Sequence, residues 1–102
     1  MQNSIQNKTT MKLYRIRHKN SGLYYKPLTG GGNNLSKTGK VYTGNSNAIT
    51  NSCDYLYIQM NGNSKLLSEY LSDYEWKEER YNYGFVYCKI PKSEFEIENL
   101  QP

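Results

Sequence analysis

The chain has 102 residues, among them eleven tyrosines, two cysteines and one histidine, and its formal net charge is +4. This length supports one domain with a single modest core, and no apolar run approaches the length that spans a membrane. With His18 as the one histidine, neither a zinc site nor a Ser/Cys–His nucleophile can be assembled from the usual residues. We therefore expect a tyrosine-rich domain that is not an enzyme and carries no cofactor or metal.

Charge is divided unevenly along the chain. Residues 1–53 contain eight basic residues and no acidic one, whereas residues 54–102 contain nine acidic and five basic residues. The first half thus carries +8 and the second −4, which add to the net +4. Such a split indicates a polyanionic partner for one face of the molecule, or a partner with a complementary split. The alternative is that the two halves attract each other, within the fold or across a homodimer.

The two cysteines, Cys53 and Cys88, match no CxxC spacing and lie near no cluster of histidines. The N-terminus lacks the apolar segment of a signal peptide. We therefore expect free, buried thiols in a reducing compartment. A disulfide and a reactive thiol are the alternatives.

Residues 1–10 are polar and aperiodic, and a second methionine, Met11, follows them. This composition predicts a disordered leader before a single domain at residues 11–102. An upstream start codon for a domain that begins at Met11 is the alternative.

The clearest strand pattern lies at residues 12–18. Its side chains alternate, which places cations on a solvent face and apolar or aromatic residues on a core face. The turn at residues 19–22 and the extended segment at residues 23–26 then predict an antiparallel hairpin that ends before Pro27. The solvent face of this hairpin is predicted to carry Arg15, Arg17 and Lys19, and the core face Tyr14, Ile16 and His18.

A glycine-rich loop follows at residues 28–34 and is predicted to be mobile, because ordering glycine costs more backbone entropy than ordering any other residue. Six residues separate Gly32 from the Gly39-Lys40 pair, whereas a phosphate-binding P-loop needs four. Residues 40–43 predict a third strand. Residues 45–52 are rich in capping residues and predict at most one helical turn.

The second half of the chain alternates again at residues 55–60, where Tyr55, Tyr57 and Gln59 oppose Leu56, Ile58 and Met60, which predicts a half-buried strand. A short helix is the alternative here. Leucines and tyrosines at helical spacing predict a helix over residues 65–74, with Asn63 or Ser64 as its N-cap.

Beyond that helix, residues 75–80 fit either a helical extension or a strand. Residues 81–90 predict a strong final strand that ends at Pro91, and the alternation around Phe95 and Ile97 predicts an edge strand. Together the elements predict an α+β fold: a small twisted antiparallel sheet of four or five strands with one packed helix.

A basic and aromatic set in the first half is the candidate binding surface. Cations interleaved with aromatic rings on a sheet track phosphates and stack bases, so nucleic-acid binding is the principal hypothesis. Carboxylates at Glu75, Glu78 and Glu79 alternate with cations in a segment that predicts a solvated face rather than a catalytic pair. The candidate binding residues are Arg15, Arg17, Lys19, Lys26, Lys37, Lys40, Tyr24 and Tyr42.

Residues 12–42 also contain the segments K-L-Y-R-I-R-H-K, G-L-Y and L-S-K-x-G-K-V-Y. In this the chain resembles small tailed-bacteriophage proteins of unknown function. The resemblance implies no particular activity, but it implies a viral protein that acts in the cytoplasm of a bacterial host. Small phage proteins often block a host enzyme or defence complex, so inhibition by direct protein binding is the alternative hypothesis. A virion component is a third.

Overall fold

The structure is a computed structural model that describes residues 12–28, 31–44 and 54–100. Within these ranges it contains eight strands, one short α-helix and one 3-10 turn, and the strands form two antiparallel sheets. The predicted leader, the predicted helical turn at residues 45–52, and Cys53 lie outside the described residues. No helix in the described ranges has the length and apolarity needed to cross a bilayer.

The first sheet is organised around β1 (Leu13–His18). One edge of β1 pairs with β2 (Tyr24–Tyr25) and β4 (Tyr42–Thr43), and the other edge pairs along its length with β8 (Phe95–Asn99). β3 (Leu35–Ser36) extends the sheet beyond β2. The predicted hairpin, third strand and late edge strand are therefore confirmed, with β3 as an addition.

The second sheet contains β5 (Tyr55–Asn61), β6 (Lys77–Glu78) and β7 (Phe85–Pro91) in the order β5-β7-β6. The strand predicted at residues 55–60 is confirmed, and the undecided segment at residues 75–80 contains a strand. The final strand begins at Phe85 rather than at residue 81, because Gly84 has φ +87° and ends a turn in which the Phe85 N–H donates to the Asn82 carbonyl.

The helix α1 (Lys65–Tyr70) is six residues long and thus shorter than the predicted span of residues 65–74. The Ser64 hydroxyl accepts from the Leu66 N–H, so Ser64 is the N-cap, one of the two predicted candidates. The chain leaves the helix at Leu71, which is buried and whose carbonyl accepts from the Trp76 indole N–H at 2.9 Å. The protein is therefore a small, mostly antiparallel β structure with one short helix.

One hydrophobic cluster receives side chains from both sheets. The alternation predicted for β1 is confirmed, since Tyr14, Ile16 and His18 are all buried. Cys88 is buried and free, as predicted, and burial raises the pKa of its thiol to about 12. The buried apolar residues are Tyr14, Ile16, Leu23, Leu35, Ile58, Met60, Leu71, Cys88, Ile90 and Phe95.

The end of the glycine-rich loop covers the open edge of β5. The Asn34 N–H donates to the Gln59 carbonyl, and the Asn34 side-chain oxygen accepts from the Gln59 N–H, both at 2.8 Å. The Asn33 side-chain oxygen accepts from the Asn61 N–H at 2.6 Å. Exposed strand edges are templates for aggregation and need partners. Asn33 and Asn34 are therefore fixed by the sheet, which corrects the predicted mobility of this part of the loop; Thr29 and Gly30 lie outside the described residues.

Gly39→Ala is expected to lower the free energy of unfolding by about 2–5 kcal/mol, since it adds left-handed backbone strain to a steric overlap. Gly39 has φ +63°, and a Cβ there would lie 2.4 Å from the Tyr24 Cβ. Urea unfolding measures the change. Gly44→Ala is the matched control, because Gly44 has φ +90° but, among the described residues, no heavy atom lies within 4 Å of its Cβ position. If the free energy of unfolding falls equally in the two variants, the overlap with Tyr24 makes no contribution to the loss of stability.

Candidate nucleic-acid interface

The predicted basic face of β1 is paired with acidic residues of β8. The Arg15 Nη2 atom lies 3.1 Å from Glu98 Oε1, and the Arg17 Nη1 atom lies 2.7 Å from Glu96 Oε2. The strand register explains both pairs, since Arg15 stands opposite Glu98 and Arg17 opposite Glu96, and residues opposite each other share a sheet face. Arg15 and Arg17 are therefore neutralised by glutamates and do not form a free basic surface: the two charged halves attract each other here, as the alternative proposed.

Tyr24 belongs to the same closed network. Its hydroxyl donates to both carboxylate oxygens of Glu98, at 3.0 and 2.9 Å, and the Arg15 guanidinium lies 3.9 Å from its ring centroid. The hydrogen bond to Glu98 is the main reason that the pKa of Tyr24 is raised. With Arg15 over the ring, that ring face is not open to a stacking base.

Tyr42, Lys40 and Lys37 of the predicted binding set lie outside this network. Tyr42 stands opposite Tyr14 on the core side of the sheet, where their rings stack with centroids 5.3 Å apart, and burial raises the pKa of Tyr42 to about 12. The Lys40 Nζ lies 5.1 Å from the Tyr42 ring, and the Lys37 Nζ lies 5.9 Å from the Tyr70 ring. The structure therefore divides the predicted set between two faces and a loop. Within the described ranges no salt bridge is formed by Lys19, Lys26, Lys37 or Lys40.

A second set of rings and cations lies on the outer face of the β5-β7-β6 sheet, which we call the tyrosine face. The strand register places Tyr57 opposite Lys89 and Lys77 opposite Tyr87. The Tyr57 and Tyr87 rings stack at 4.9 Å with 11° between their planes, and the Lys89 Nζ lies 4.9 Å from the Tyr55 ring centroid. The tyrosine face consists of Tyr55, Tyr57, Lys77, Tyr87 and Lys89.

Strand alternation explains why these rings point outward. Ile58 and Met60 of β5, and Cys88 and Ile90 of β7, fill the core from the opposite face of the sheet. Period-two alternation therefore leaves the intervening side chains on the outer face. Tyr57 keeps 45 % of its surface exposed there, enough for a ring to be reached from solvent.

Two cations on the tyrosine face are available to an anionic ligand. Lys77 and Lys89 form no salt bridge with any residue in the described ranges. A carboxylate also reaches the face, since Glu79 Oε1 accepts from the Tyr57 hydroxyl at 2.7 Å. Burial, followed by this hydrogen bond, raises the pKa of Tyr57 above its usual value. The bond thereby fixes the orientation of the ring.

The sequence contained part of the signal for this face. Tyr55 and Tyr57 alternate with apolar residues in β5, as do Tyr87 and Lys89 in β7, and both patterns predict strands. What local periodicity does not show is that the two segments pair with each other, so the shared face could not be assembled from the sequence.

A buried chain of polar groups links His18 to Glu94. The His18 Nδ1 atom lies 2.7 Å from the Ser21 hydroxyl, and Nε2 lies 2.6 Å from the Tyr74 hydroxyl, which donates to Glu94. Ser21 Oγ also accepts from the Leu23 N–H at 3.1 Å, and so closes the turn between β1 and β2. The arrangement is explained by hydrogen-bond satisfaction inside the fold. Among the described residues, no cluster of His, Cys, Asp and Glu side chains could hold a metal.

Fold and site together define a small, mostly antiparallel β protein with an exposed aromatic and cationic sheet face. Comparison of the chain with protein-family models, with curated protein sequences and with solved structures found no match.

Proposed function

We propose that the protein binds single-stranded nucleic acid through the tyrosine face. The observation that carries the proposal is the alternation of three tyrosines across paired strands with two lysines that form no salt bridge among the described residues. Bases stack on aromatic rings with about 1–3 kcal/mol per base, and lysines contact phosphates. Both contacts are available within one face, whereas the Arg15 and Arg17 side chains are held by glutamates.

Single strands fit this surface better than duplexes. The bases of a duplex are stacked on each other and expose only their edges, whereas unpaired bases can lie flat on aromatic rings of a sheet. The near-parallel Tyr57 and Tyr87 rings form a platform on which a base extends an existing stack. The viral origin and the bacterial cytoplasm implied by the sequence resemblance are part of this proposal.

A salt titration tests the proposal directly. We expect affinity for a labelled single-stranded oligonucleotide to fall steeply with salt concentration, and a duplex of the same sequence to bind more weakly. Lys77→Gln with Lys89→Gln is expected to reduce the slope of log K against log salt by about 1.4, because each phosphate contact on a single strand contributes about 0.7. Fluorescence anisotropy measures both quantities.

The same titration locates the surface. Lys37→Gln with Lys40→Gln removes the same charge from the segment between β3 and β4. If this variant lowers the slope and the Lys77 and Lys89 variant does not, binding occurs near β4 and the tyrosine face is not the site. Absence of binding at low salt would reject nucleic-acid binding altogether.

A further inference from the structure

The turn between β6 and β7 exposes two aromatic rings almost completely. Tyr81 has 91 % of its surface exposed and Tyr83 has 102 %, and Arg80 precedes them. Single exposed apolar residues are common, but neighbouring exposed tyrosines beside an arginine have the composition of protein-binding hot spots. The turn is therefore suited to contact another macromolecule.

A cleft with a volume of about 450 Å³ lies beside this turn. Two carboxylates, Glu78 and Glu79, and two rings, Tyr83 and Phe85, line it, together with the glycines of both adjoining turns, Gly62 and Gly84. The Gly62 N–H donates to the Gly84 carbonyl at 2.8 Å, and a Cβ at Gly62 would lie 3.0 Å from that oxygen. The two turns therefore pack closely, and the glycines leave the space open.

The chemistry of the lining selects a cation. Neither Glu78 nor Glu79 forms a salt bridge within the described part of the chain, and Glu79 uses one oxygen for Tyr57. Aromatic faces attract ammonium and guanidinium groups, and carboxylates form strong charge-assisted hydrogen bonds with them. Phosphate would be repelled by the same carboxylates. A nucleic acid is thus the wrong ligand for this cleft.

We propose that this cleft receives an arginine or lysine side chain from a basic segment of a partner protein, with Tyr81 and Tyr83 packing against the flanking residues. Charge complementarity and the exposed rings identify the occupant as a basic peptide segment. The proposal does not depend on nucleic-acid binding, because the cleft residues differ from the lysines of the tyrosine face.

Fluorescence anisotropy with a labelled arginine-rich peptide tests the proposal. We expect binding to the wild-type protein, and at least about tenfold weaker binding when glutamine replaces each arginine of the peptide, because charge-assisted contacts are lost. Glu78→Gln with Glu79→Gln in the protein is expected to have a similar effect. Glu69→Gln with Asp73→Asn is the matched control, since it removes the same charge from exposed positions outside the cleft.

Four results would overturn the proposal. They are absence of binding to the arginine peptide, equal binding of the glutamine peptide, equal losses in the two double variants, and a wild-type dimer in sedimentation that Glu78→Gln with Glu79→Gln dissociates. Equal losses in the two double variants would mean that the overall charge of the protein attracts the peptide. A dimer that depends on Glu78 and Glu79 would mean that a second copy of the chain occupies the cleft. Circular dichroism checks that both double variants are folded.

Discussion

Replacing Tyr57 and Tyr87 together by Ala is expected to weaken binding of a single-stranded oligonucleotide by about tenfold to a hundredfold, since stacking on an aromatic ring contributes about 1–3 kcal/mol per base. The two rings stack on each other at 4.9 Å on the outer side of the sheet and are not part of the buried core. Loss of their mutual contact should lower the free energy of unfolding by only about 0.5–1.5 kcal/mol. Fluorescence anisotropy measures the affinity, and urea unfolding measures the stability.

The control is Tyr57→Phe with Tyr87→Phe, which keeps both rings and removes the hydroxyl that donates to Glu79. Stacking depends on the ring, so this variant should bind within about twofold of the wild-type protein. If the phenylalanine variant binds as weakly as the alanine variant, the hydroxyl groups rather than ring stacking account for the affinity. Alanines that bind like the wild-type protein would place the site away from these rings.

The parts of the fold that local sequence signals determine were predictable. The β1 hairpin, the strand at Tyr55–Asn61 and the Ser64 N-cap follow from periodicity and capping within a few residues, and these local signals gave correct predictions. The end of α1 could not be predicted from the helical periodicity. The Leu71 carbonyl accepts a hydrogen bond from the Trp76 indole, and the spacing of apolar residues does not reveal this contact.

The candidate site was less predictable, because its charges depend on strand pairing. Arginines such as Arg15 and Arg17 are typical of a phosphate-binding strand, and the prediction that both lie on one face of β1 was correct. Their partners Glu98 and Glu96 are 83 and 79 residues away, and only the β1–β8 register brings them together. The charge split of the chain is therefore an intramolecular attraction at β1. The net charge of the acidic half also gives no indication of Lys77 and Lys89. These two lysines lie in that half and form no salt bridge with any described residue.

The tyrosine face and the cleft, the two proposed binding surfaces, meet at Glu79. One of its oxygens accepts from Tyr57 of the tyrosine face, and its side chain also lines the cleft beside Tyr83. Separate variants of the lysines and of the glutamates distinguish the two contributions.

The protein is expected to lose stability below about pH 6.5 because of His18. The histidine side chain is fully buried, and burial lowers its pKa from the usual 6.5; the Glu94 carboxylate opposes this shift and Arg17 adds to it. We assign Nε2–H as donor to Tyr74 and Nδ1 as acceptor from Ser21, an arrangement that satisfies neutral histidine completely. Protonation would place a second donor where Ser21 donates.

The direction of this pH dependence is set by the number of protons that the folded and unfolded states bind. Between the lowered pKa of the folded state and 6.5, the unfolded chain binds more protons, so the free energy of unfolding falls as pH falls. Above pH 6.5 this contribution is fully present. The slope due to one histidine is at most about 1.4 kcal/mol per pH unit.

His18→Asn tests the assignment, because asparagine keeps a donor and an acceptor but does not titrate. The variant is expected to be less stable at neutral pH by about 1–3 kcal/mol, since Tyr74 and Ser21 lose well-placed partners. Its stability should nevertheless change less between about pH 6.5 and pH 5 than that of the wild-type protein. Urea unfolding followed through Trp76 fluorescence gives both curves. Parallel curves would show that His18 does not titrate in this range, and a wild-type protein that gains stability in acid relative to the variant would mean that attraction to Glu94 outweighs burial.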